Sequence, residues 1–387
     1  MRIGLDVSML GGGGGIVTYA ESLLGALARQ APQCSLVLWC GSRSAAPIVR
    51  HLAPPGSRVV APGLAGRLLG RWGRLAIGNA LPIEAFVGSL DTFHGPNYLL
   101  PAQRGKAALV VTVHDLSALR YPQWHPTRRT LVHRVALRRT LRAVDRVITD
   151  SQAVRAEVIA DLGVPPEKVT AVPLAGAADF HPRGTGELKP VLDRWDLTPG
   201  GYLLFSGALE PRKNLIRLLE AVAALRRRRR DVPPLVLAGP PGWRNREVRE
   251  KIAAAGGTAG YLDYLPREDL AALVAGCAAF VMPSLYEGFG LPVVEAMASG
   301  VPVVTSRGGA LEEVAGNAAV LVDPRDSDAM AAGIERVLDD AGLRVDLVQR
   351  GLARAAQFSW ERTARETLAV YDQAIAARRQ KATGLRE

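Results

Sequence analysis

The sequence has few of the residues that mark secreted, metal-binding or membrane-spanning proteins. It holds three cysteines in 387 residues, Cys34, Cys40 and Cys277, and their separations fit neither a disulfide framework nor a zinc site. We expect them to be small buried side chains in a reducing compartment. No stretch reaches the roughly 18 uninterrupted apolar residues that a membrane-spanning helix needs, and residues 1–7 read as a strand rather than a signal peptide. These absences predict a cytoplasmic protein.

What is present is the composition of a globular protein with more than one domain. Hydrophobic residues make up 48% and charged residues 22% of the chain, and its length suits two or three domains of roughly 150 residues each. The net charge of +11 is uneven, since residues 1–182 hold 20 basic and 11 acidic side chains and residues 183–387 hold 28 and 26. An excess of positive charge on one half favours an anionic partner, usually nucleic acid or anionic membrane lipid.

Two stretches of the first half concentrate this positive charge. Residues 120–146 contain eight arginines and one acidic residue, and Leu137, Leu141 and Val144 recur there at helical spacing. This pattern predicts a helix with an apolar face and a basic sector, which suits either an anionic membrane surface or plain solvent. Residues 63–85, where arginine alternates with leucine and tryptophan, are a second candidate. Neither stretch carries a zinc, RNP-like or helix-turn-helix signature, so no nucleic-acid partner is predicted.

The order of the predicted elements divides the chain into two similar halves. The first half has predicted strands at Arg2–Val7, Ser35–Trp39, Thr92–His94, Ala108–Thr112 and Arg146–Thr149 and a helix at Thr18–Arg29. The second half has predicted strands at Tyr202–Ser206, Leu235–Ala238, Ala279–Met282 and Val301–Thr305 and a helix at Leu215–Arg226. Short apolar strands alternating with helices predict an α/β fold with two doubly wound parallel sheets.

Glycine and proline mark the join between these halves. They gather near residues 181–201, as expected for a connecting segment. We therefore place a first domain at 1–182, a linker at 183–200 and a second domain at 201–358. A final helix with a tail follows at 359–387, with Ser359 as its predicted N-cap.

Two turns that follow the first strand of a half are candidates for binding phosphate groups. The run Gly11–Gly15 lies between the first strand and the first helix, where glycine lets the backbone approach a phosphate closely. A flexible loop explains the same run equally well. Arg212 and Lys213 follow the first strand of the second half, and an arginine fork beside a lysine suits a diphosphate. Since ligands of doubly wound sheets bind at the carboxyl ends of the strands, we expect both turns at one cleft.

The segment Glu287–Glu295 sets two carboxylates eight residues apart across a glycine-rich turn. The second carboxylate lies just inside a predicted helix start, whose free backbone N–H groups and positive dipole end favour an anionic ligand. Carboxylates on either side of such an anion would bind hydroxyl groups. A lone glutamate is more often exposed and structural, so the wider phrase decides the interpretation.

That wider phrase, residues 282–292, reads Met-Pro-Ser-Leu-Tyr-Glu-Gly-Phe-Gly-Leu-Pro and resembles the donor-binding signature of retaining glycosyltransferases of the GT-B type, in particular glycosyltransferase family four. Further phrases resemble that family and follow the family's order: Phe93–Tyr98, Thr112–Leu116, Asp150–Gln152, Val172–Leu174, Gly260–Pro266 and Arg307–Glu312. The resemblance covers most of the chain. It implies a GT-B architecture, with an acceptor-side and a nucleotide-sugar-binding Rossmann-like domain facing across a cleft and a C-terminal helix crossing back to the first domain.

The family pattern, carried over residue by residue, implies a donor site. Arg212 and Lys213 would hold the nucleotide diphosphate, Glu295 the ribose hydroxyls and Glu287 hydroxyls of the donor sugar. Backbone N–H groups of Gly288, Phe289 and Gly290 would lie near that sugar, with His114 beside it, Gly14 and Gly15 under the phosphates and Leu265 along the base. Many relatives have an arginine where this chain has Ala208, so the positive charge would rest on Arg212 and Lys213. A structural role for His114 remains the alternative to sugar contact.

The same resemblance implies a hexosyltransferase that uses a nucleotide-diphosphate sugar as co-substrate and retains configuration. On the family's usual account the acceptor attacks from the leaving-group face and no protein nucleophile is needed. No Asp-x-Asp metal motif stands out in a loop, so we predict no metal and no other cofactor. The phrase at residues 114–126 resembles transferases that add mannose or rhamnose to lipid-linked surface polysaccharides. It implies a GDP-mannose-like or dTDP-rhamnose-like donor, a lipid-linked saccharide acceptor and docking on the inner face of a membrane.

Two other interpretations stay open on the sequence. One is another enzyme of the same two-domain architecture, such as a phosphorylase or a sugar-nucleotide epimerase, although the spacing of the two glutamates argues against the epimerase. The other is a non-enzymatic basic protein that binds nucleic acid or membrane, which only the arginine-rich stretch supports.

Overall fold

The computed structural model of the chain describes all but a few segments. Outside the description are Gly11, Gly13, 42–44, 62–81, Leu99, 101–104, Pro126 and 385–387, together with the side chains of 127–134 and 384. The rest forms two compact units, of which the first is Met1–Leu174 with Ser359–Glu387 and the second is Ala175–Phe358. Each unit is built on its own parallel sheet.

The first unit contains a seven-stranded sheet. Its strands are β1 (Arg2–Asp6), β2 (Ser35–Trp39), β3 (Arg58–Val60), β4 (Thr92–Gly95), β5 (Ala108–Val113), β6 (Arg146–Thr149) and β7 (Val169–Ala171). They lie in the order β3-β2-β1-β4-β5-β6-β7, and every neighbouring pair is parallel. All residues of β4 and β5 are buried, as expected of a sheet covered on both faces. The strand order reverses between β1 and β4, the point at which doubly wound sheets bind ligands.

Helices accompany these strands along the chain. They are α1 (Gly15–Gln30), α2 (Ala46–Leu52), α3 (Glu84–Val87), α4 (Ser117–Arg120), α5 (Thr127–Ala143) and α6 (Gln152–Leu162). Helix α5 is the predicted basic helix, because Leu137 and Leu141 pack in the hydrophobic core while Arg138 and Arg142 are exposed. The second basic stretch, residues 63–85, falls largely outside the described residues. None of the described helices has an 18-residue window apolar enough to cross a membrane.

The second unit repeats the plan with six parallel strands. They are β8 (Leu203–Ser206), β9 (Leu235–Ala238), β10 (Ala259–Leu262), β11 (Ala279–Met282), β12 (Val303–Ser306) and β13 (Val320–Val322), in the order β10-β9-β8-β11-β12-β13. The helices are α7 (Thr185–Leu192), α8 (Leu215–Arg228), α9 (Arg246–Ala254), α10 (Arg267–Gly276), α11 (Leu291–Ala298), α12 (Gly309–Ala315), α13 (Ser327–Asp339) and α14 (Ala341–Ala355). Here the order reverses between β8 and β11.

The last helix, α15 (Trp360–Gly384), belongs to the first unit. Its Val370 and Ala374 are buried, the Tyr371 hydroxyl lies 2.7 Å from Nδ1 of His94 on β4, and Lys381 Nζ donates to the buried Asp145 carboxylate at 2.7 Å. The prediction that a C-terminal helix returns to the first domain is confirmed.

The doubly wound sheets are confirmed as well, and all nine predicted strands are present with ends shifted by no more than two residues. The sequence missed β3, β7, β10 and β13, which are the four edge strands. β3, β7 and β10 are mostly half-buried or exposed, so they lack the buried apolar run that marks a central strand. β13 is apolar but has only three residues.

The residues predicted to join the domains lie in the second compact unit. Pro182 would be 3.4 Å from a Cβ added at Gly300, so the end of the predicted first domain packs on the second unit. Residues 183–200, predicted as a linker, contain α7, which packs against α10.

Candidate functional site

The turn that carries Arg212 and Lys213 follows β8, at the point where the order of the second sheet reverses. It is a single 3-10 turn, Pro211–Lys213, which ends at Asn214 in the left-handed conformation with φ 62°. The Asn214 side-chain amide donates to the carbonyl oxygens of Pro283 at 3.1 Å and Pro324 at 2.5 Å. These bonds tie the turn to the loops after β11 and β13, so the position of both cations is set by the sheet.

Glu287 is in direct contact with both cations. Its Oε2 accepts from an Arg212 guanidinium nitrogen at 2.5 Å and its Oε1 accepts from Lys213 Nζ at 2.7 Å. Arg212 Nε also donates to Glu210 at 3.0 Å. The exposed side-chain fraction is 17% for Arg212 and 8% for Lys213 and Glu287, so two cations and two carboxylates form one nearly buried cluster without net charge.

The electrostatics of this cluster follow from burial and pairing. Burial alone would raise the pKa of Glu287, but the charges of Arg212 and Lys213 outweigh burial and lower it to about 2. Burial lowers the pKa of Lys213, which Glu287 opposes. Burial also raises the pKa of Glu210 against the charge of Arg212. The sequence predicts a ligand between these cations and carboxylates, whereas the structure pairs Glu287 directly with Arg212 and Lys213.

The glycine-rich turn that follows Glu287 leads into α11. Gly290 precedes the helix with φ 109°, and a Cβ added there would lie 2.6 Å from the Leu311 side chain, so the position requires glycine. Phe289 is buried and packs edge-on against Phe358 with ring centroids 5.6 Å apart. Gly288 is buried too. No side chain caps the helix start, but Pro292 has no N–H and the Val293 N–H donates to the Gly290 carbonyl oxygen at 2.9 Å. The attraction that α11 offers an anionic ligand is therefore mainly the positive end of its dipole.

Glu295 is the fifth residue of α11 and is partly buried. Burial raises its pKa to about 7, against the nearby Arg267 charge and a hydrogen bond from the backbone of Ala177. Gly176 lies alongside, since a Cβ added there would be 3.3 Å from the Glu295 Cγ. Leu265, predicted to line the base, is buried just before α10.

The predicted residues of the first unit lie at the carboxyl ends of its central strands. Gly14 precedes α1 with φ 96°, and Gly15 is the first residue of that helix. A Cβ added to either would meet no atom of the described residues within 4 Å, so the described part of this turn leaves the backbone open to an approaching group. The rest of the predicted run includes Gly11 and Gly13, which lie outside the described residues.

His114 follows β5, and both of its ring nitrogens have protein partners. Nδ1 lies 2.7 Å from Oδ2 of Asp150, and Nε2 lies 2.7 Å from the Pro96 carbonyl oxygen. Because carbonyl and carboxylate oxygens only accept, His114 satisfies both by carrying a proton on each nitrogen. Burial works against that charge, but Asp150 outweighs burial and raises the pKa of His114. A sugar contact by His114 stays a prediction, and its hydrogen bonds already serve the fold.

A buried chain of neutral hydrogen bonds lies next to His114 in the first unit. The Tyr19 ring meets the His114 ring edge-on at 4.8 Å, and the Tyr19 hydroxyl lies 2.9 Å from Thr112 Oγ1. His94 Nε2 is 2.9 Å from the same Thr112 oxygen, and His94 Nδ1 reaches the Tyr371 hydroxyl. Burial, aided by the charge of His114, lowers the pKa of His94 to about 3, so this imidazole is neutral.

The structure therefore brings Arg212, Lys213 and Glu287 into contact and places Glu295 on the helix that follows Glu287. Sequence reasoning missed Glu210, whose signal was its place two residues before Arg212, and Asp150, which stands directly after β6. Among the described residues no group of three or more His, Cys, Asp or Glu side chains is arranged to hold a metal ion. The sequence Asp326-Ser-Asp328 serves as a helix cap, since Asp326 accepts from two backbone N–H groups of α13.

Comparison with known proteins gives a consistent result. Residues 13–175 match the family model described as Glycosyltransferase Family 4, and residues 198–354 match Glycosyl transferases group 1. The O-antigen chain mannosyltransferase B of Escherichia coli is 40% identical over 282 residues, which cover 72% of this chain and 73% of that protein. The MMP alpha-(1->4)-mannosyltransferase of Mycolicibacterium hassiacum is 35% identical over 311 residues, covering 75% and 72%.

A solved structure supports the fold independently. Anabaena Alr3699/HepE in complex with UDP and glucose superposes with a TM-score of 0.74 at 19% identity, covering 96% of this chain and 99% of that one. The predicted GT-B fold is confirmed.

Proposed function

Because this chain belongs to glycosyltransferase family four, whose members transfer sugars with a GT-B fold, we propose that it moves a mannosyl group from a nucleotide-diphosphate sugar to a saccharide acceptor and retains the configuration of the sugar. The support for mannose is the similarity to two mannosyltransferases together with the phrase at residues 114–126. The chain is a hexosyltransferase, and the donor, the acceptor and the stereochemistry are the proposed parts.

The observation that carries the donor site is the cluster in which Glu287 bridges Arg212 and Lys213. Two buried cations at the end of β8 suit a diphosphate, and here a carboxylate occupies them. A diphosphate that takes the place of Glu287 releases this side chain to bind hydroxyls of the attached sugar. Arg212, Lys213 and the start of α11 then stabilise the negative charge that develops on the leaving diphosphate, which is usually the largest single contribution to such catalysis.

The remaining donor contacts follow the same assignment. Glu295 binds the ribose hydroxyls, Leu265 lines the base, and backbone N–H groups of Gly288, Phe289 and Gly290 lie along the sugar. For the first unit the proposal assigns Gly14 and Gly15 to the phosphates and His114 to the sugar. Since cations and helix starts supply the leaving-group stabilisation, the proposal requires no metal ion and no other cofactor.

The acceptor is proposed to be a lipid-linked saccharide of a surface polysaccharide, in keeping with the O-antigen relative. The basic exposed face of α5, with Arg138 and Arg142, would then meet anionic lipid at the inner face of the membrane. Binding to vesicles with and without anionic lipid, at two salt concentrations, measures this association, which should weaken as salt rises.

The donor is tested first by thermal stabilisation with a panel of sugar nucleotides. GDP-mannose is expected to raise the unfolding temperature more than UDP-glucose or dTDP-rhamnose at the same concentration, because a ligand that binds only the folded state stabilises it by an amount that increases with the logarithm of its affinity. Incubation of the donor alone addresses the alternative enzymes, since an isomerised nucleotide sugar would identify an epimerase and phosphate-dependent release of sugar 1-phosphate a phosphorylase.

The variant Glu287→Gln tests the exchange of Glu287 for the diphosphate. Removing the competing negative charge should tighten GDP binding about tenfold, equivalent to ~1.4 kcal/mol. Transfer should fall at least roughly 100-fold, because the sugar hydroxyls lose a charged partner. Glu335→Gln, which removes a carboxylate from a surface ion pair of the same unit, is the matched control for both measurements. Weaker GDP binding with unchanged transfer would contradict the proposal.

A further inference from the structure

The first unit has a cavity at the end of its sheet where the strands begin. The cavity has a volume of about 490 Å³, which is within the range of small-molecule sites. Its lining comes from the last two turns of α5, the end of α6 and the loop that leads into β7. His114 and Gly14 follow the other ends of these parallel strands. The cavity is therefore separate from the donor contacts proposed for this unit.

Three cations line the cavity, namely Arg138, Arg142 and Lys168. None of them has an ion pair or a side-chain hydrogen bond with another residue of the described chain. Asp161 lines the cavity too, and its carboxylate lies 3.4 Å from Arg120 Nε. The carboxyl ends of α5 and α6 add roughly half a negative charge each. The three cations exceed this negative charge, so the cavity favours an anionic ligand.

The rest of the cavity wall is apolar. Leu141, Leu162 and Val164 contribute to the lining, and Leu141 and Val164 are buried members of the hydrophobic core. Inorganic phosphate would pair with the cations but leave this apolar surface in contact with water. A ligand that carries its phosphate on a carbon skeleton gains from both parts of the wall, through charge-assisted hydrogen bonds and through burial of apolar area.

The loop that carries Lys168 is held in place by hydrogen bonds. The Lys168 N–H donates to the Pro165 carbonyl oxygen at 2.9 Å. Arg155 of α6 donates to the carbonyl oxygens of Val169 at 2.8 Å and Pro166 at 3.1 Å. Because the loop is already ordered, a ligand does not have to order it, and less binding free energy is lost.

We propose that this cavity binds an organic phosphate ester. The three cations hold the phosphate group, and the carbon skeleton lies on the apolar wall. Such an ester is either the headgroup of an anionic phospholipid or a soluble phosphorylated metabolite. The inference does not depend on the donor assigned above. If the ester is a lipid, the membrane association proposed for α5 acquires a defined headgroup site in place of a diffuse basic face.

The experiment follows the methyl resonances of Leu141 and Val164 by NMR in the full chain, because these side chains line the cavity. One arm titrates glycerol 3-phosphate, and the second titrates dihexanoyl phosphatidylglycerol below the concentration at which it forms micelles. A third arm uses dihexanoyl phosphatidylcholine, which has the same chains and no net charge. Saturable shifts are expected in the first two arms, and they should weaken as salt rises.

Two variants remove one cation each, Arg142→Gln and Lys168→Gln. Each is expected to raise the Kd of the bound ester roughly tenfold, the size of one lost charge-assisted hydrogen bond. Arg29→Gln is the matched control, because it removes an exposed cation of the same unit that is paired with Glu361. Its Kd should stay within about twofold of the unchanged protein. Equal unfolding temperatures establish that all three variants are folded.

The outcomes separate the two sources of the ester. Affinity for phosphatidylglycerol at least roughly tenfold above that for glycerol 3-phosphate assigns the site to lipid, and equal affinities assign it to a soluble ester. Binding of glycerol 3-phosphate alone keeps the site and contradicts the proposed membrane association. No saturable shift with either ester, a Kd that neither cavity variant changes, or equal affinity for phosphatidylcholine would overturn the inference.

Discussion

The polar groups at the strand ends of the second unit are held by charge, and those of the first unit are held mostly by neutral hydrogen bonds. Arg212, Lys213 and Glu287 satisfy one another as ions in a nearly buried cluster. In the first unit Thr112, His94 and Tyr371 form a chain of neutral partners beneath His114. An ionic cluster can exchange one of its anions for an incoming diphosphate, whereas a neutral chain gains nothing from exchange and serves as a fixed support.

The sharpest way to break this comparison is Lys213→Met, which removes one charge and keeps the volume. If the cations stabilise the leaving diphosphate, kcat should fall roughly 100- to 1000-fold, the range found when one stabilising donor is removed from an active site. Lys251→Met, which removes a half-exposed lysine paired with Glu220, should leave kcat unchanged. A near-normal kcat for Lys213→Met would mean that the cluster is structural.

A smaller effect is expected from pH, through Glu295. Burial places its pKa at about 7 in the free protein, above the ordinary value for a carboxyl group, so the side chain gains its charge as pH rises through 7. Ionised Glu295 binds ribose hydroxyls more strongly, and donor affinity should therefore increase by up to about tenfold between pH 6 and 8. Calorimetry of GDP binding across this range measures it. In Glu295→Gln the rise should disappear, and a rise that persists would assign it to another group.

The raised pKa of Glu295 also predicts that, without a ligand, the stability of the protein falls as pH rises. Because the folded state holds the Glu295 proton at pH values where the unfolded chain has released it, the free energy of unfolding should decrease as pH rises from about 4.5 to 7. Chemical denaturation without ligand checks the sign, and Glu295→Gln should flatten that part of the profile.

The smallest effect is expected from a change to the neutral hydrogen bonds of the first unit. Tyr371→Phe removes the partner of His94 Nδ1 and should lower the free energy of unfolding by ~1–3 kcal/mol, the cost of one unsatisfied buried group. Thermal unfolding measures this, with Tyr264→Phe at a residue that is 74% exposed as the neutral control. Since these hydrogen bonds support the fold and do not contact the proposed donor, GDP affinity should not change in either variant. A loss of GDP affinity without a loss of stability would show that the first unit's network acts in binding.

The sequence predicted the central strands and the turns that follow them because both leave local signals. A run of buried apolar residues marks β5, and a proline followed by Arg212 and Lys213 marks the turn after β8. Pairing across the fold leaves no such signal. Glu287 and Lys213 are 74 residues apart and Tyr371 and His94 are 277 apart, so their contacts depend on the strand order. Without that order, Glu287 could be assigned to a sugar but not recognised as the present partner of the cations.

Asp150 shows a second limit of what can be predicted from the sequence. In the sequence it is an acidic residue before a serine, and that serine, Ser151, caps α6 by accepting from Val154. Its contact with His114 and the burial of its second carboxylate oxygen, which has no partner among the described residues, distinguish Asp150 from an ordinary residue of a helix start. Burial of a single atom depends on loops from three strands, which the amino-acid order does not reveal.

The return of α15 to the first unit has a consequence for how the protein is made. Residues 175–358 leave the ribosome as a contiguous stretch and hold every strand of their own sheet. The first unit is completed later, because Tyr371 is synthesised 277 residues after its partner His94 and Lys381 is synthesised 236 residues after its partner Asp145. During that interval His94 and Asp145 lack partners that the finished fold supplies. A chain that stops before residue 359 therefore has a complete second unit but an incomplete first unit. The apolar surface that an incomplete unit exposes is what chaperones and proteases recognise.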